Sequence, residues 1–345
     1  MCWTLLGLTT LFVALISTVA GHVITIDTLG LQSPPATSPP LPLIVWHGLG
    51  DTYDADGLMA TAELARKVNP GTVVYNIRLA NDSSADRRST FFGNVTEQIA
   101  QVCADIAAHP VLGAAAAVNA LGFSQGGQFL RGYVERCNAP PVHNLVTFGS
   151  QHNGIARFQM CKPTDFLCKG AEVLLKANAW STYAQGSLVP AQYYRDPEDM
   201  ASYLNFSNFL ADVNNERAAK SAIYKNNIAG LNKFVMYVFE NDETVVPKES
   251  GWFAEFNATS KMVTPLRNRT LYTQDWLGLR DLDRKAGLVF ETAPGKHMEL
   301  SESILNQTFT RYFGPSARAA MSDQESPNRL ASVAQQGQSL LMADW

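Results

Sequence analysis

Six short apolar runs, spaced by helical patterns, constrain this chain more than any other feature. They are Leu43-Ile44-Val45-Trp46, Thr72 to Ile77, residues 116–122, residues 144–148, Phe234 to Phe239 and Leu288 to Phe290. Between and after them, apolar residues at helical spacing mark 57–67, 95–107, 125–136 and 301–312. Near-continuous apolar strands alternating with helices predict an α/β fold: a mostly parallel central sheet flanked by helices. Residues 152–232 break the alternation. They hold no strand pattern but many large apolar groups, among them Trp180, Tyr193, Phe206 and Phe209. A largely helical insertion at one end of the sheet is expected there.

With 46% hydrophobic residues in 345, the chain has ample core material and is not of a disordered or fibrous class. Only 17% of residues are charged, the net charge is −4 and the pI is near 5.9. Nucleic-acid binding has no support, because such domains usually run above about pI 9.

Met1 to Ala20 carries the apolar run Leu11 to Ile16 followed by small residues, the pattern of a signal peptide (1–20). The run is too short for a membrane anchor, and no other stretch approaches 18 apolar residues. A stable transmembrane anchor is therefore not expected in the mature chain. Beyond Cys2 there are four cysteines, an even number that suits an oxidising compartment. Short spacing favours a Cys161–Cys168 pair, which leaves Cys103 with Cys137. Six N-x-S/T sequons, at Asn81, Asn94, Asn205, Asn257, Asn268 and Asn306, become candidate glycan sites on the secretory route. No C-x-x-C or spaced His pair suggests a metal, and no cofactor is called for. The segment 316–345 is rich in Ser, Gln, Ala and Asn and is expected to be a disordered tail.

The sharpest chemical signal is Gly122-Phe123-Ser124-Gln125-Gly126, a G-x-S-x-G between a strand and a helix. A nucleophilic serine needs a sharp strand-to-helix turn that projects its hydroxyl into a cleft, and glycines two residues either side remove clashing Cβ atoms. The hydroxyl also needs a base, which on this architecture follows in the chain order Ser, acid, His. Of the six histidines, at 22, 47, 109, 143, 152 and 297, three precede Ser124. His143 and His152 leave no room for an acidic strand end before them, so His297 is the candidate. The acid is expected after the Phe234–Phe239 strand: Asp242, with Glu240 and Glu243 as rivals. An oxyanion hole would take the N–H groups of Gln125 and of the turn His47-Gly48-Leu49-Gly50, most naturally Leu49. His47 itself is expected to be structural.

Several blocks resemble the palmitoyl-protein thioesterases: Val45-Trp46-His47-Gly48-Leu49-Gly50-Asp51, Leu121 to Arg131, Gly149-Ser150-Gln151-His152-Asn153-Gly154, Phe209 to Asn214, Leu271 to Asp275 and Leu277-Gly278-Leu279. The likeness runs over roughly 40–314, the expected hydrolase domain. It implies an α/β-hydrolase fold and a triad of Ser124, Asp242 and His297, which chooses Asp242 over its neighbours. It also implies both disulfides. The implied activity is hydrolysis of long-chain acyl (palmitoyl) thioesters on cysteines of proteins or peptides, usually in lysosomes. S-acylated proteins or peptides and long-chain acyl thioesters would be the partners, and lysosome or vacuole the compartment, with secretion as the other end of the route. An adjacent cysteine pair seen after the oxyanion turn in animal members is absent; Tyr53 and Asp54 lie there. By residue chemistry alone, an oxygen-ester lipase or a catalytically silent lipid-binding protein uses the same framework.

Overall fold

The structure, a computed structural model, describes residues 39–157, 164, 166–257, 259–260 and 262–314. The expected leader 1–20, the tail 316–345 and Cys161 lie outside the described residues. The first half runs β1 (Leu43–Trp46), α1 (Asp56–Val68), β2 (Val74–Asn76), α2 (Ser83–Ser89), α3 (Val95–Ala108), β3 (Val118–Phe123), α4 (Gln125–Arg136) and β4 (Val142–Phe148). Between β4 and β5 (Lys233–Phe239) come only helices among the described residues: α5 (Phe166–Asn178), α6 (Thr182–Ser187), α7 (Val189–Gln192), α8 (Met200–Phe206), α9 (Leu210–Val213) and α10 (Ala222–Gly230). The hairpin β6 (Glu255–Phe256) and β7 (Val263–Thr264) follows, then α11 (Thr270–Thr273), α12 (Leu279–Arg284), β8 (Leu288–Ala293) and α13 (Glu302–Thr308).

The main sheet has the order β2-β1-β3-β4-β5-β8, and every pairing in it is parallel. This is the α/β-hydrolase arrangement. The strands read as unbroken apolar runs because both faces are covered. Ile44 and Trp46 of β1 point to one face, where they join Val102 of α3 and Phe129 and Tyr133 of α4. Leu43 and Val45 point to the other, among Leu58 and Leu64 of α1 and Leu305 and Phe309. The two-residue period of the strand thus feeds two cores. Each fully buried side chain of this size contributes about 1.5–3 kcal/mol. Cys103 near the end of α3 is bonded to Cys137 just past α4, a closure of 34 residues. On the chain-entropy account such a loop is worth about 3–4 kcal/mol.

Helix α2 and the last helix differ from the sequence expectation, and the β6–β7 hairpin, α11 and α12 were not expected. Helix α2 was invisible to periodicity because Ser-Ser-Ala-Asp-Arg-Arg-Ser has no apolar stripe; the Asp82 side chain caps it by accepting from the Ala85 N–H at 2.9 Å. The last helix is α-helical only to Thr308, after which Phe309–Phe313 widens into a π turn. That widening keeps Phe309, Tyr312 and Phe313 in the core beside α1.

Candidate active site

Ser124 sits between β3 and α4 with φ 51 and ψ −125, a conformation costly for any residue with a Cβ. Its N–H is held by the Phe148 carbonyl of β4 at 2.8 Å. The flanking glycines are there for close approach. A Cβ on Gly122 would fall 2.2 Å from the Gly127 Cα, and one on Gly126 would fall 2.3 Å from the Trp46 carbonyl oxygen. So β3, α4 and the end of β1 touch backbone to backbone around the serine.

His297 lies in the loop after β8. That loop is tied to the end of β5, because the Asn241 N–H donates to the Gly295 carbonyl at 3.0 Å. The imidazole packs edge-on to Phe239 of β5 at 6.0 Å between centroids. It also lies where a Cβ on Gly149 would come within 3.0 Å of its Cε1, so Gly149, at φ 59, leaves the ring its place. His297 Nε2 is 3.1 Å from Ser124 Oγ, and Nδ1 is 2.7 Å from Asp242 Oδ2. Asp242 is buried at the end of β5, while its neighbours Glu240 and Glu243 are exposed. Its second oxygen accepts from the Thr244 and Val245 N–H groups at 2.9 and 3.0 Å. The carboxylate is thereby locked, and one imidazole tautomer, with Nε2 free to accept from the serine, is selected.

The turn after β1 closes the other side of Ser124. A Cβ on Gly48 would stand 3.1 Å from the Ser124 Cβ. Gln125 is the first residue of α4, so its N–H lies outside the helix's own hydrogen bonds. Its side chain is fixed by donating to the Thr90 carbonyl at 3.3 Å and accepting from the Tyr193 hydroxyl at 3.2 Å.

Two clefts meet at Ser124 and Leu49. One is narrow, with room for about 40 Å³, and is lined by Phe91, Ile155, Leu175, Pro190 and Val245 among others. The other is open to about 720 Å³ and has His297, Met298, Leu58 and Leu64 in its walls.

A family model described as palmitoyl protein thioesterase matches residues 42–297. The chain belongs to the palmitoyl-protein thioesterase family. Palmitoyl-protein thioesterase 1 of Caenorhabditis elegans is 33% identical over 79% of this chain and 92% of its own length. Palmitoyl-protein thioesterase 3 of Dictyostelium discoideum is 33% identical over 75% and 85%. A human protein named lysosomal thioesterase PPT2 is 25% identical over 72% and 78%.

In this palmitoyl-protein thioesterase family member the imidazoles of His47, His109 and His152 are engaged by other groups. His152 is buried, stacked on Phe253 at 5.1 Å, with Nε2 3.0 Å from Thr147 Oγ1; burial, aided by the Arg131 charge, holds its pKa well below the usual range. His109 accepts from Val111 and Leu112 N–H groups in a turn after α3. His47 is buried with Nε2 2.9 Å from Asp86 Oδ2. Here sequence reasoning missed residues that matter. From α2 and its end, Asp86 accepts from the Tyr53 N–H, Arg87 Nε donates to the Gly50 carbonyl, and Thr90 Oγ1 accepts from the Gly50 N–H, each at 2.9 Å. Together they grip the turn carrying Leu49. No signal in a polar helix without a stripe announced them.

Asn81, Asn205, Asn257, Asn268 and Asn306 are exposed, whereas Asn94 is half-buried and caps α3 through its Oδ1. Cys168 is disulfide-bonded. Among the described residues no cluster of His, Cys, Asp and Glu could hold a metal ion, and no helix is long and apolar enough to cross a membrane.

Proposed function

We propose that this chain hydrolyses long-chain acyl thioesters, releasing palmitate-like acids from cysteines of S-acylated proteins or peptides through an acyl-enzyme on Ser124. The observation that carries the mechanism is the line Asp242–His297–Ser124, with contacts of 2.7 and 3.1 Å. Family membership supplies the thioester class.

Ser124 Oγ attacks the thioester carbonyl carbon while its proton passes to His297 Nε2. The carbonyl oxygen becomes negative and is received by the Leu49 and Gln125 N–H groups. The carbon–sulfur bond breaks, and the departing sulfur takes the proton from His297. Water then attacks the acyl-enzyme, gives a proton to His297 and releases the fatty acid; Ser124 Oγ recovers that proton. Asp242 stabilises each imidazolium without taking a proton.

The narrow cleft is the place for the acyl chain, since Phe91, Ile155, Ala171, Leu175, Pro190 and Val245 outnumber the polar Gln151, Glu172 and Thr244 in its lining and a buried CH₂ gains about 0.8 kcal/mol. Its room of about 40 Å³ suits a few waters. Helix α5 contributes Ala171 and Leu175 to its wall.

The test is Ser124→Ala assayed on palmitoyl-CoA and palmitoyl-peptide. Turnover should fall at least about a thousandfold; undiminished turnover overturns the reading. Matched oxygen-ester substrates should be cleaved more slowly than the thioesters, and the opposite order would make the protein a lipase. We also place the protein in the secretory pathway with lysosome or vacuole as its destination, on the strength of relatives so named. A tagged chain found solely in the medium would refute that destination.

A further inference from the structure

The mechanism above fills one of the two clefts at Ser124. The other has His297 in its wall, whereas the narrow groove does not. That asymmetry has a chemical consequence. The same Nε2 must hand a proton to the departing sulfur and later take one from water, so both must stand on the histidine's side of the nucleophile. Width agrees on the polypeptide's side. A saturated acyl chain is thin and apolar; a polypeptide with its side chains is broad and polar. The cleft beside His297 offers about 720 Å³ against about 40 Å³ in the acyl groove.

The walls also carry charge. Leu58, Leu64 and Met298 form an apolar part, while Asp51, Glu63 and Glu302 stand against the single cation Lys67. The excess of carboxylates favours a cationic occupant, and Glu63 is exposed and so available to it.

We propose that this cleft, between α1 and the His297–Leu305 segment, docks the polypeptide around the acylated cysteine, and that it prefers cysteines flanked by Lys or Arg. The inference rests on the thioesterase reading and adds which side of the nucleophile holds the protein.

Gly57, in the first turn of α1, gives a clean probe. It lines the cleft, and a Cβ built on it meets nothing within 4 Å, so a side chain can start there without a backbone clash. Gly57→Phe is compared with wild type on two palmitoyl thioesters: one of N-acetylcysteamine, and one of a cysteine within a twelve-residue peptide. Fluorophosphonate labelling of Ser124 normalises for folded enzyme. The ratio of kcat/KM for the peptide over the small thioester should fall about tenfold in the variant. An unchanged ratio overturns the docking assignment. In a second arm, Glu63→Lys is assayed on Lys-flanked and Glu-flanked peptides at low salt. The preference for the Lys-flanked peptide should fall about fivefold, and the effect should fade with added salt. An unchanged preference overturns the charge assignment. If wild type cleaves neither thioester, the thioesterase reading has failed; if it cleaves both but the ratios ignore these substitutions, only the docking site has failed.

Discussion

His47 Nε2 lies 2.9 Å from Asp86 Oδ2, with both side chains sealed from solvent. The pair joins the turn after β1 to α2, and the Tyr53 and Leu79 N–H groups complete the carboxylate's shell at 2.9 and 2.7 Å. Burial on its own would push the Asp86 pKa up. The hydrogen bonds from His47 and the two amides outweigh it and hold the carboxyl below its ordinary value. In Asp86→Asn the turn bearing Leu49 loosens, so kcat should drop about tenfold while KM changes little. An equal change in KM would show that the turn serves binding instead.

The same depressed carboxyl sets an acid limit. Its stabilisation is present above the unfolded value of 3.8 and is lost as pH falls through the lower folded value. Denaturant midpoints between pH 6 and 2.5 should decline in wild type, and part of that decline should vanish in Asp86→Asn.

Glu135 behaves in the opposite sense. It is buried at the end of α4, and desolvation raises its pKa to about 7 despite the Arg131 guanidinium at 2.8 Å. The neutral form is favoured in the fold, so this group's contribution is complete below 4.5 and is lost as pH rises through about 7. Glu135→Gln should flatten the stability difference between pH 4.5 and 7.5, as read by denaturant unfolding. A difference as steep as in wild type would refute this.

Ala171 lines the narrow cleft at Ser124, which we propose takes the acyl chain, and is buried. Ala171→Phe should shorten the preferred acyl chain, cutting kcat/KM for C16 relative to C8 thioesters about tenfold. A parallel loss on both lengths would place the chain elsewhere.

Asp242→Asn keeps the shape of the site but favours the wrong imidazole tautomer. Turnover should fall by about 10³–10⁴ with the Tm close to wild type. A loss under tenfold would remove Asp242 from the mechanism.

Much of this molecule was readable from its chain, for identifiable reasons. Leu43 to Trp46 and Phe234 to Phe239 are unmistakable because a parallel strand covered on both faces has no polar face to confuse the pattern. The bounds of α4 were readable from Ser124 at its start and from the Phe129, Tyr133 and Val134 stripe. Ser124 and His297 could be singled out because an elbow needs glycines and histidines are few. Asp242 was harder: local chemistry left Glu240 and Glu243 open until the family resemblance chose. The grip of Asp86, Arg87 and Thr90 on the turn carrying Leu49 was invisible. It is built from polar side chains reaching 33 to 40 residues back along the chain, and no local period encodes such contacts. The groove lining was equally hidden, since Ile155, Leu175 and Pro190 share their composition with every packed residue around them.

The left-handed backbone at Ser124 has an evolutionary consequence. Glycine at that position would relieve the strained peptide, and it would remove the hydroxyl that we propose as the nucleophile in the same stroke. Thermal robustness and turnover therefore pull this one codon in opposite directions, and a heat-hardened descendant with glycine there would be an inert one.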